Sequence, residues 1–584
     1  MLLLKSTGIS VALCVGAAIA LSAQDRCPAE SVATLPVKYV GGKTVADITA
    51  CDLMTRLYIF ADDSMRGRQF GSDDDLRAIK YIETELHRLG LQPAGEHGEY
   101  TQRIPLFIRA LDSSSTITIA GKIFRAGTDF VVSAVGQVAD IGDLPVLFAG
   151  NANDTTNLIP TGAAKGKLVL MRPGAPPSPA VTQSNGFKLY QQSLAGAMLV
   201  TIAGDRIPEA ALKAALAPSG PGALRLASSP AANNASPLAG LSVTTAMANA
   251  MLGVSIASAT KGMSGHTVTP RIRFVDTPQS VGRNVIAILP GSDSRLRDEF
   301  VVLGAHHDQL GLAQRPVDHD SLKAFNAIAR PQGGDGGART PTADEWQRLR
   351  ITIDSLHAAH GGPRLDSINN GAAAGGSGAV SLLEIAEALA KGKVKLKRSV
   401  VFVWHGGQER GMWGSQYFAE HPTVPREAIV AEINIDMAGR GAAEDVTGRT
   451  ADGSLLHGGE GYLQVFGKRR LSAELGTLTE QVAGDKAFGF QLDTTLDVAG
   501  HPQNMYCRND QAMYAAWGIP AVAFSTGGFA DFHMVTDEPQ YIRYGALALL
   551  DRMVLQLTIR IANLDRRLAV DKPRAPDTYT GCKQ

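Results

Sequence analysis

From residue 282 onward, apolar residues form short continuous runs that alternate with longer helical patterns. The runs cover 284–289, 300–303, 399–404, 431–435 and 521–524, and a helical pattern covers 377 to about 390. Runs this short and this apolar predict strands that are buried on both faces, as in parallel sheets with helices on both sides. We therefore predict an α/β fold with a mostly parallel central sheet covered by helices.

A different periodicity precedes this region. Apolar residues recur at spacings of three and four, namely Leu76, Ile79, Ile82, Leu86 and Leu89. These spacings place all of them on one face of a helix. Ser72 can cap the start of this helix, and Gly90 follows its last apolar position. The sequence predicts one amphipathic helix over residues 72–89.

The region between about 136 and 277 has another character. Short apolar strands such as 167–171 and 198–202 are separated by runs of Pro, Ala, Ser and Gly. This pattern predicts a small inserted domain that is rich in β-structure. The predicted organisation is a signal peptide (1–23), the N-terminal part of the main domain (24–135), the insert (136–277), the rest of the main domain (278–565) and a C-terminal tail (566–584).

The N-terminus has the order of features found in signal peptides. Lys5 precedes an apolar run from Ile9 to Leu21, and the small residues Ser22 and Ala23 follow it. The run is shorter than the roughly 20 residues that a membrane span needs. We predict cleavage near Ala23 and an exported, periplasmic or secreted chain with no transmembrane helix in its mature part. An uncleaved anchor is the alternative.

The charge balance argues against nucleic acid as a partner. The 584 residues include 56 lysines plus arginines and 56 aspartates plus glutamates, so the formal net charge is zero. Such a chain has no global field that would hold nucleic acid or an anionic membrane surface. Its length suffices for two or three domains with cores of their own.

Four cysteines remain after removal of the signal peptide: Cys27, Cys51, Cys507 and Cys582. An even number in an exported chain permits disulfides, with three possible connectivities. Proximity in the sequence favours Cys27 with Cys51 and Cys507 with Cys582. Four free thiols are the alternative.

Candidate chemistry follows the predicted strands. His306, His307 and Asp308 follow 300–303, Gln408 and Glu409 follow 399–404, Asp436 follows 431–435, and Asp531 and His533 lie after 521–524. A working site lies outside the carboxyl ends of the strands in such sheets, so we expect these side chains to converge. Imidazole and carboxylate are ligands for zinc or a similar ion, and Asp308 can orient the His306 ring.

Longer motifs connect these residues to a known family. They are Val-Leu-Gly-Ala-His-His-Asp (302–308), Asn-Gly-Ala (370–372) before Ser377-Gly378, Gly-Met-Trp-Gly-Ser (411–415), Ile-Asn-Ile-Asp-Met (433–437), and Phe-His (532–533) before Thr536-Asp537. With these motifs the chain resembles metallopeptidase family 28, the di-zinc exopeptidases that include aminopeptidase Y and glutamate carboxypeptidase relatives. The resemblance covers most of the mature chain. It implies the phosphorylase/hydrolase-like zinc-exopeptidase fold, a protease-associated domain in the insert, and a peptide or peptide-like substrate or ligand.

The resemblance also assigns metal ligands. It implies that one zinc takes His306 and Asp436 and that the other takes Glu409 and His533. In the family the first Asp of a Gly-Ala-Asp-Asp stretch bridges the two metals, and its counterpart here is Ala373. Ala374 stands in place of the second Asp. We therefore expect zero to two zinc ions per chain.

The general base is altered as well. The family uses the first Glu of a Glu-Glu pair, and this chain has Gln408 before Glu409. An amide cannot accept a proton from metal-bound water, and loss of a positioned general base costs about 10²–10⁴-fold in rate. The family also has an Arg-Ser-Asp-His pattern before a helix, and the corresponding residues here, 508–511, are Arg-Asn-Asp-Gln. This makes Asp510, together with His405, a candidate substrate-side residue.

The segment 309–366 offers a route to compensation. It is longer than in relatives and contains Asp318, His319, Asp320, Asp335, His357, His360 and Asp366. One of these could replace the missing ligand or base. The alternative is a solvated surface loop or lid.

Three functional hypotheses follow from these residues. The first is an active exported aminopeptidase that uses compensating groups from 309–366. The second is a catalytically degenerate homologue that keeps the cleft to bind peptides or cell-envelope material. The third is hydrolysis or cyclisation with a single metal held by some of the four remaining ligands. The substitutions at 373 and 408 lead us to expect a peptidase-like protein with impaired catalysis.

Overall fold

The structure is a computed structural model that describes residues 27, 35–132, 142–151, 159–160, 162–172, 198–227, 240–330, 333–334, 337–442, 445, 457–572 and 582. The predicted signal peptide lies outside these residues, and the predicted tail lies only partly within them. Among the described residues, no helix combines the length and the apolar character that crossing a bilayer requires.

The described chain contains both helices and strands. The helices are α1 (Ala50–Phe60), α2 (Asp73–Leu89), α3 (Glu209–Leu216), α4 (Thr245–Leu252), α5 (His319–Ala329), α6 (Ala343–His360), α7 (Gly378–Lys391), α8 (Trp413–Glu420), α9 (Ala473–Ala483), α10 (Gln511–Ala516) and α11 (Tyr544–Ala562). The strands are β1 (Gln92–Pro93), β2 (Thr101–Arg103), β3 (Leu106–Leu111), β4 (Thr116–Ile119), β5 (Lys122–Arg125), β6 (Phe130–Val132), β7 (Leu144–Asn151), β8 (Leu168–Arg172), β9 (Met198–Gly204), β10 (Leu224–Leu226), β11 (Leu241–Thr244), β12 (Ser264–Arg271), β13 (Phe274–Gln279), β14 (Arg283–Leu289), β15 (Phe300–His306), β16 (Gly311–Asp318), β17 (Leu365–Asn369), β18 (Ser399–His405), β19 (Ile429–Ile435), β20 (Tyr462–Phe466), β21 (Gln491–Asp493) and β22 (Ala521–Ser525).

The main sheet has the strand order β1-β14-β18-β15-β19-β22-β20-β21, and β2 also pairs with β14. The strands β18, β15, β19 and β22 are parallel to one another, as predicted for the centre of the sheet. The edges differ, because β14 is antiparallel to β18 and β20 is antiparallel to β22. The predicted α/β class is confirmed, and parallel pairing is concentrated in the strands that carry the candidate site.

Both faces of this sheet are buried, which explains the continuous apolar runs in the sequence. Every residue of β15, β18, β19 and β22 is buried. One face packs against α1, α2, α7 and α11 in a single apolar core. The other face packs against α8 and α10. The helices on both sides fix the carboxyl ends of the central strands at one edge of the fold.

Two local predictions are also confirmed. The predicted amphipathic helix is α2, where Ser72 accepts a hydrogen bond from the Asp75 amide and Gly90 ends the helix at a φ of 75°. The disulfides join Cys27 to Cys51 and Cys507 to Cys582, as sequence proximity favoured. The second disulfide links the C-terminal end of the chain to the turn Met505–Arg508.

A second sheet has the order β5-β4-β12-β7-β8-β9-β11-β6 and its own apolar core. It runs from Thr116 to Arg271, so three of its strands precede residue 136. A third, small sheet has the order β10-β3-β13. In the chain, β3 comes before the strands of the second sheet, β10 comes among them and β13 follows them. Leu224 and Leu226 of β10 pack with Phe70 and Trp413 of the main domain. The division of the chain into domains, and the protease-associated character of the insert, remain predictions.

The segment 309–366 is built largely of regular structure. Strands β16 and β17 form an antiparallel ribbon, and helices α5 and α6 pack together between them in the chain. Thr342 and Glu345 form a reciprocal capping box at the start of α6. The candidate ligands of this segment therefore have positions set by a ribbon and two helices.

Candidate active site

A pocket of about 220 Å³ opens at the carboxyl ends of β15, β18 and β19. The residues that line it are His306, Ala374, Gln408, Glu409, Gly411, Met412, Asp436, Met437, Met505, Arg508, Asn509, Phe532 and His533. All four predicted metal ligands are among them. The topology therefore brings together side chains from four strand ends, as the sequence predicted.

The first pair of candidate ligands is His306 and Asp436. His306 is the last residue of β15, and its Nε2 lies 3.1 Å from Oδ1 of Asp436, which directly follows β19. The other ring nitrogen, Nδ1, lies 3.1 Å from the backbone oxygen of Asp308 and 3.5 Å from its carboxylate. Burial alone would lower the pKa of His306, but Asp436 and Asp308 outweigh it and raise the pKa well above its ordinary value.

The second pair is Glu409 and His533. Nε2 of His533 lies 3.0 Å from the Glu409 carboxylate. Glu409 sits in a single helical turn, Gln408–Arg410, just after β18. The His533 ring stacks on Phe532 at a centroid distance of 3.7 Å, and its backbone has a φ of 60°. This pair is more exposed than the first, since the His533 side chain keeps 36% of its surface accessible.

Asp308 holds the turn that carries Gln408 and Glu409. Its carboxylate accepts hydrogen bonds from the backbone amides of Gln408 at 3.1 Å and Glu409 at 3.4 Å. The predicted orienting contact with His306 is made most closely by the Asp308 backbone oxygen. The Gln408 side chain donates from Nε2 to the Arg508 backbone oxygen at 3.1 Å. The amide at the general-base position is thus bonded to the opposite wall of the pocket.

The turn at the bridging-ligand position is held from behind. The backbone amides of Ala373 and Ala374 donate to the Asp537 carboxylate at 3.0 to 3.2 Å. Gly371 and Gly375 flank this turn with φ values of 56° and 73°, a conformation that only glycine adopts without strain. Burial raises the pKa of Asp537 to about 6, although Arg440 and the two amides act in the opposite direction.

Comparison with known proteins identifies the domain that carries this pocket. Residues 284–558 match the family model described as "Peptidase family M28". Residues 284–558 therefore form a domain of family M28. Over 81 residues it is also 33% identical to Leupeptin-inactivating enzyme 1 from Streptomyces exfoliatus, a match that covers 13% of this chain and 18% of that protein.

Two solved structures align with most of the chain at low similarity. An aminopeptidase from Aneurinibacillus sp. strain AM-1 is 15% identical, with a TM-score of 0.43 over 90% of this chain and 97% of the other. BSAP, a zinc aminopeptidase from Bacillus subtilis, is 14% identical, with a TM-score of 0.45 over 91% and 99%. The M28 assignment rests on the family match and does not depend on these distant structures.

Zinc is the usual cofactor of M28, and the residues at this site do not fit a zinc centre of the family's kind. The predicted bridging position is occupied by Ala373, and each of the two predicted ligand pairs consists of two side chains. Catalytic zinc normally has three protein ligands and a water. Within the described residues, no three His, Cys, Asp or Glu side chains are grouped so that they could hold a metal ion.

The candidate ligands of 309–366 pair with one another and with neighbours. His357 Nε2 lies 2.7 Å from Asp318, and His360 Nδ1 lies 2.7 Å from Asp320. His319 faces Glu538 at 3.3 Å. None of the described residues of this segment, Asp366 included, lines the pocket, and Asp335 lies outside the described residues. The structure therefore does not bring the proposed replacement ligands to the M28 site.

Three other predicted site residues lie outside the pocket lining. Asp510 is buried and accepts a hydrogen bond from Ser415. His405 is buried, with Nε2 2.7 Å from the Tyr514 hydroxyl. Asp531 pairs with Lys323 and with Arg440, the latter at 3.0 Å. Asp510 and His405, predicted on the substrate side, thus lie among buried neighbours behind the pocket.

Several pocket residues escaped the sequence prediction. The apolar part of the wall is made by Met412, Met437, Met505 and Phe532. Asn509 and Arg508 add polar groups to the same wall. Met412, Met437, Arg508, Asn509 and Phe532 lie within motifs that resemble the family, but the motifs gave them no role. Met505 lies in no such motif, and its approach to the pocket depends on tertiary packing.

Proposed function

We propose that this chain is an exported M28 protein that binds peptides or peptide-like ligands in the described pocket and whose peptidase activity is impaired. The observation that carries the proposal is the turn at Ala373. Its backbone is held by Asp537, and a buried methyl group stands where the family places a bridging carboxylate. The fixed turn leaves no carboxylate to join the two ligand pairs.

The position of Gln408 supports the same proposal. Its carboxamide cannot take up a proton at neutral pH, and its Nε2 donates to the Arg508 backbone oxygen. The side chain therefore links two walls of the pocket and cannot act as a base. Loss of a positioned base lowers a rate by about 10²–10⁴-fold.

The remaining wall suits a peptide ligand. Met412, Met437, Met505 and Phe532 offer adaptable apolar surface, as expected for a pocket that receives a side chain. Glu409 and Asp436 add negative charge beside them. Export is supported by the predicted signal peptide and by the two disulfides, which are typical of oxidising compartments.

Metal content and turnover of the purified mature protein test the proposal together. Zinc is measured by elemental analysis after dialysis, and hydrolysis of aminoacyl-anilides is followed on the same sample with added zinc. We expect fewer than two zinc ions per chain and turnover at or near background. Two tightly held zinc ions with efficient turnover would overturn the proposed impairment and favour the active aminopeptidase.

Restoring the two carboxylates tests whether the rest of the site is competent. The double variant Ala373→Asp with Gln408→Glu is expected to gain zinc and to raise turnover by about 10²–10⁴-fold. Adding Glu409→Gln to the double variant serves as the matched control and should abolish that gain. If the double variant binds zinc but stays inactive, the impairment has a further cause beyond positions 373 and 408.

The active aminopeptidase remains the second candidate. It is favoured by the retention of His306, Asp436, Glu409 and His533 around one pocket. A peptide-binding measurement separates the two candidates, because the pseudoenzyme retains the intact peptide whereas the enzyme releases its N-terminal residue.

A further inference from the structure

The loop of residues 529–534, which follows β22, carries two residues that line the pocket, Phe532 and His533. We call it the His533 loop. His533 has a φ of 60°, an uncommon backbone conformation for a residue with a side chain. Such a conformation persists where the surrounding structure determines it. The contacts between this loop and the rest of the chain therefore decide where the His533 ring lies.

Helix α5 of the segment 309–366 meets the His533 loop with one of its faces. Lys323 and Asn326 are three residues apart in α5, so their side chains lie on the same side of the helix. Both contact the carboxylate of Asp531. Lys323 Nζ donates to Oδ2, and Asn326 Nδ2 donates to Oδ1 at 3.0 Å. Each carboxylate oxygen of Asp531 thus has a partner from α5.

Asn326 holds the loop on both sides of the pocket residues. Its Nδ2 also donates to the sulfur of Met534 at 3.1 Å. Asp531 directly precedes Phe532, and Met534 directly follows His533. One amide group therefore brackets the two residues that enter the pocket. Asn326 is itself fully buried and does not line the pocket, so it can act on a ligand only through the loop.

Asp531 is the buried centre of these contacts. Arg440 donates to its Oδ2 at 3.0 Å and Thr536 to its Oδ1 at 2.8 Å, in addition to the two donors from α5. Burial alone would raise the pKa of Asp531, but the charges of Lys323 and Arg440 outweigh it and lower the pKa to about 2. Loss of a donor to a buried carboxylate is costly, so the loop should shift when α5 no longer supplies one.

Helix α5 is also anchored to the chain on either side of these contacts. His319, the first residue of α5, lies 3.3 Å from the Glu538 carboxylate and stacks on Tyr541 at a centroid distance of 6.0 Å. Beyond the end of α5, the Gly334 amide donates to the Phe529 backbone oxygen at 2.8 Å. The helix is thus docked along the His533 loop and the residues that follow it.

We propose that Lys323 and Asn326 are positioning residues for the pocket, which hold Phe532 and His533 in place through Asp531. The inference rests on the proposed function in one respect, since it assumes that ligands bind where Phe532 and His533 lie. Helix α5 then acts on the site from behind the loop, without supplying a metal ligand or a base.

The first measurement is the imidazole signal of His533 in the nuclear magnetic resonance spectrum of the whole metal-free protein, isotope-labelled at histidine Cε1. His533→Gln assigns this signal. Asn326→Ala and Lys323→Met should each shift or broaden it at a temperature where the variants are folded, because the loop loses a donor that holds it. Ser321→Ala is the matched control. It removes a hydrogen bond from the same helix to Asp318 and should leave the His533 signal unchanged.

The second measurement is the affinity for trileucine, a peptide with a free amino group and an apolar side chain, by isothermal titration calorimetry. Asn326→Ala should weaken binding by about 3–30-fold, as expected for a substitution that acts on a site without touching the ligand. Lys323→Arg keeps the charge and should retain the wild-type affinity and the wild-type His533 signal, whereas Lys323→Met should retain neither.

An unchanged His533 signal in both Asn326→Ala and Lys323→Met would overturn the proposal, and so would an equal change in Ser321→Ala. A lower thermal midpoint with an unchanged signal would mean that the two residues only stabilise the fold, which also contradicts it. If Asn326→Ala does not fold, Asn326→Ser, which keeps a shorter polar side chain, is measured in its place. A wild-type protein that does not bind trileucine would count against the proposed function, and the His533 signal would still decide the positioning role.

Discussion

The two walls of the pocket differ in chemistry but not in how firmly they are held. One wall presents charged pairs, His306 with Asp436 and Glu409 with His533. The other wall presents the neutral methyl groups of the Ala373 turn. Gln408 lies in the same turn as Glu409 and belongs to the first wall. In both walls a buried carboxylate accepts hydrogen bonds from backbone amides. Asp308 accepts from the Glu409 amide, and Asp537 accepts from the Ala373 amide.

This comparison separates the scaffold of an M28 site from its chemistry. Asp308 holds the turn that carries the predicted ligand Glu409, and Asp537 holds the turn that carries Ala373 at the predicted bridging position. The backbone of both turns is therefore held by hydrogen bonds within the chain. Substitutions that remove the carboxylate of Asp308 or Asp537 should lower the free energy of unfolding. Substitutions in the two charged pairs should mainly change the charges that face the pocket.

The largest expected effect in this comparison comes from Asp537→Ala. The substitution leaves the buried amides of Ala373 and Ala374 without their acceptor, and each orphaned donor costs about 1–3 kcal/mol. We expect the free energy of unfolding to fall by about that amount for each of the two donors. Urea denaturation followed by circular dichroism measures the loss. An unchanged midpoint would show that the Ala373 turn is held by other contacts.

Asp537→Asn is the matched control and adds a pH dependence. The pKa of Asp537 is raised to about 6 from 3.8, so the native state binds the proton more tightly than the unfolded state. The stability that this proton provides is present below about pH 4 and is lost as pH rises to about 6. The asparagine variant has no such proton. The difference in stability between wild type and Asp537→Asn should therefore decrease over that window and then stay constant.

A smaller effect is expected in the charged wall from Asp436→Asn. Asp436 lies 3.1 Å from His306 and helps to raise the pKa of that imidazole. Removal of a charge at this distance should lower the pKa of His306 by about 1–3, which corresponds to about 1.4 kcal/mol per pKa unit. Nuclear magnetic resonance titration of the metal-free protein measures it. His357 of α6, which pairs with Asp318 of β16, serves as an internal reference that should not change.

The sequence predicted those features that depend on local pattern. Apolar runs of strand length identified β14, β15, β18, β19 and β22, and their carboxyl ends converge because parallel strands share an edge. The helix α2 was predicted with its cap because Ser72 and Gly90 act within one turn of it. The convergence of the four candidate ligands was predicted because each follows a strand or lies in the loop after one, whereas their assignment to metals came from the resemblance to the family.

Other features depend on packing between distant parts of the chain. The antiparallel edge of the sheet could not be read from 284–289, since an apolar run does not encode the direction of its neighbour. The ribbon and helices of 309–366 carry their histidines into pairs of their own, although composition alone suggested replacement ligands. The burial of Glu432 and Asn434 on the face of the sheet below Asp436 depends on strand register, because a shift by one residue would turn them to the opposite face.

The smallest expected effect concerns the hydrogen bond from Gln408 to the Arg508 backbone oxygen, which joins two turns of the pocket. Gln408→Ala removes one neutral hydrogen bond to the Arg508 backbone oxygen, and such a bond contributes about 0.5–1.5 kcal/mol. We expect a stability loss within that range, together with faster hydrogen exchange in the turn Met505–Arg508. Gln408→Glu is the informative comparison, because a carboxylate cannot donate to that carbonyl and should loosen the same turn. If exchange in this turn is unchanged in both variants, its other contacts hold it, which include the Cys507–Cys582 disulfide and the hydrogen bond from Gln511 to the Tyr506 backbone oxygen.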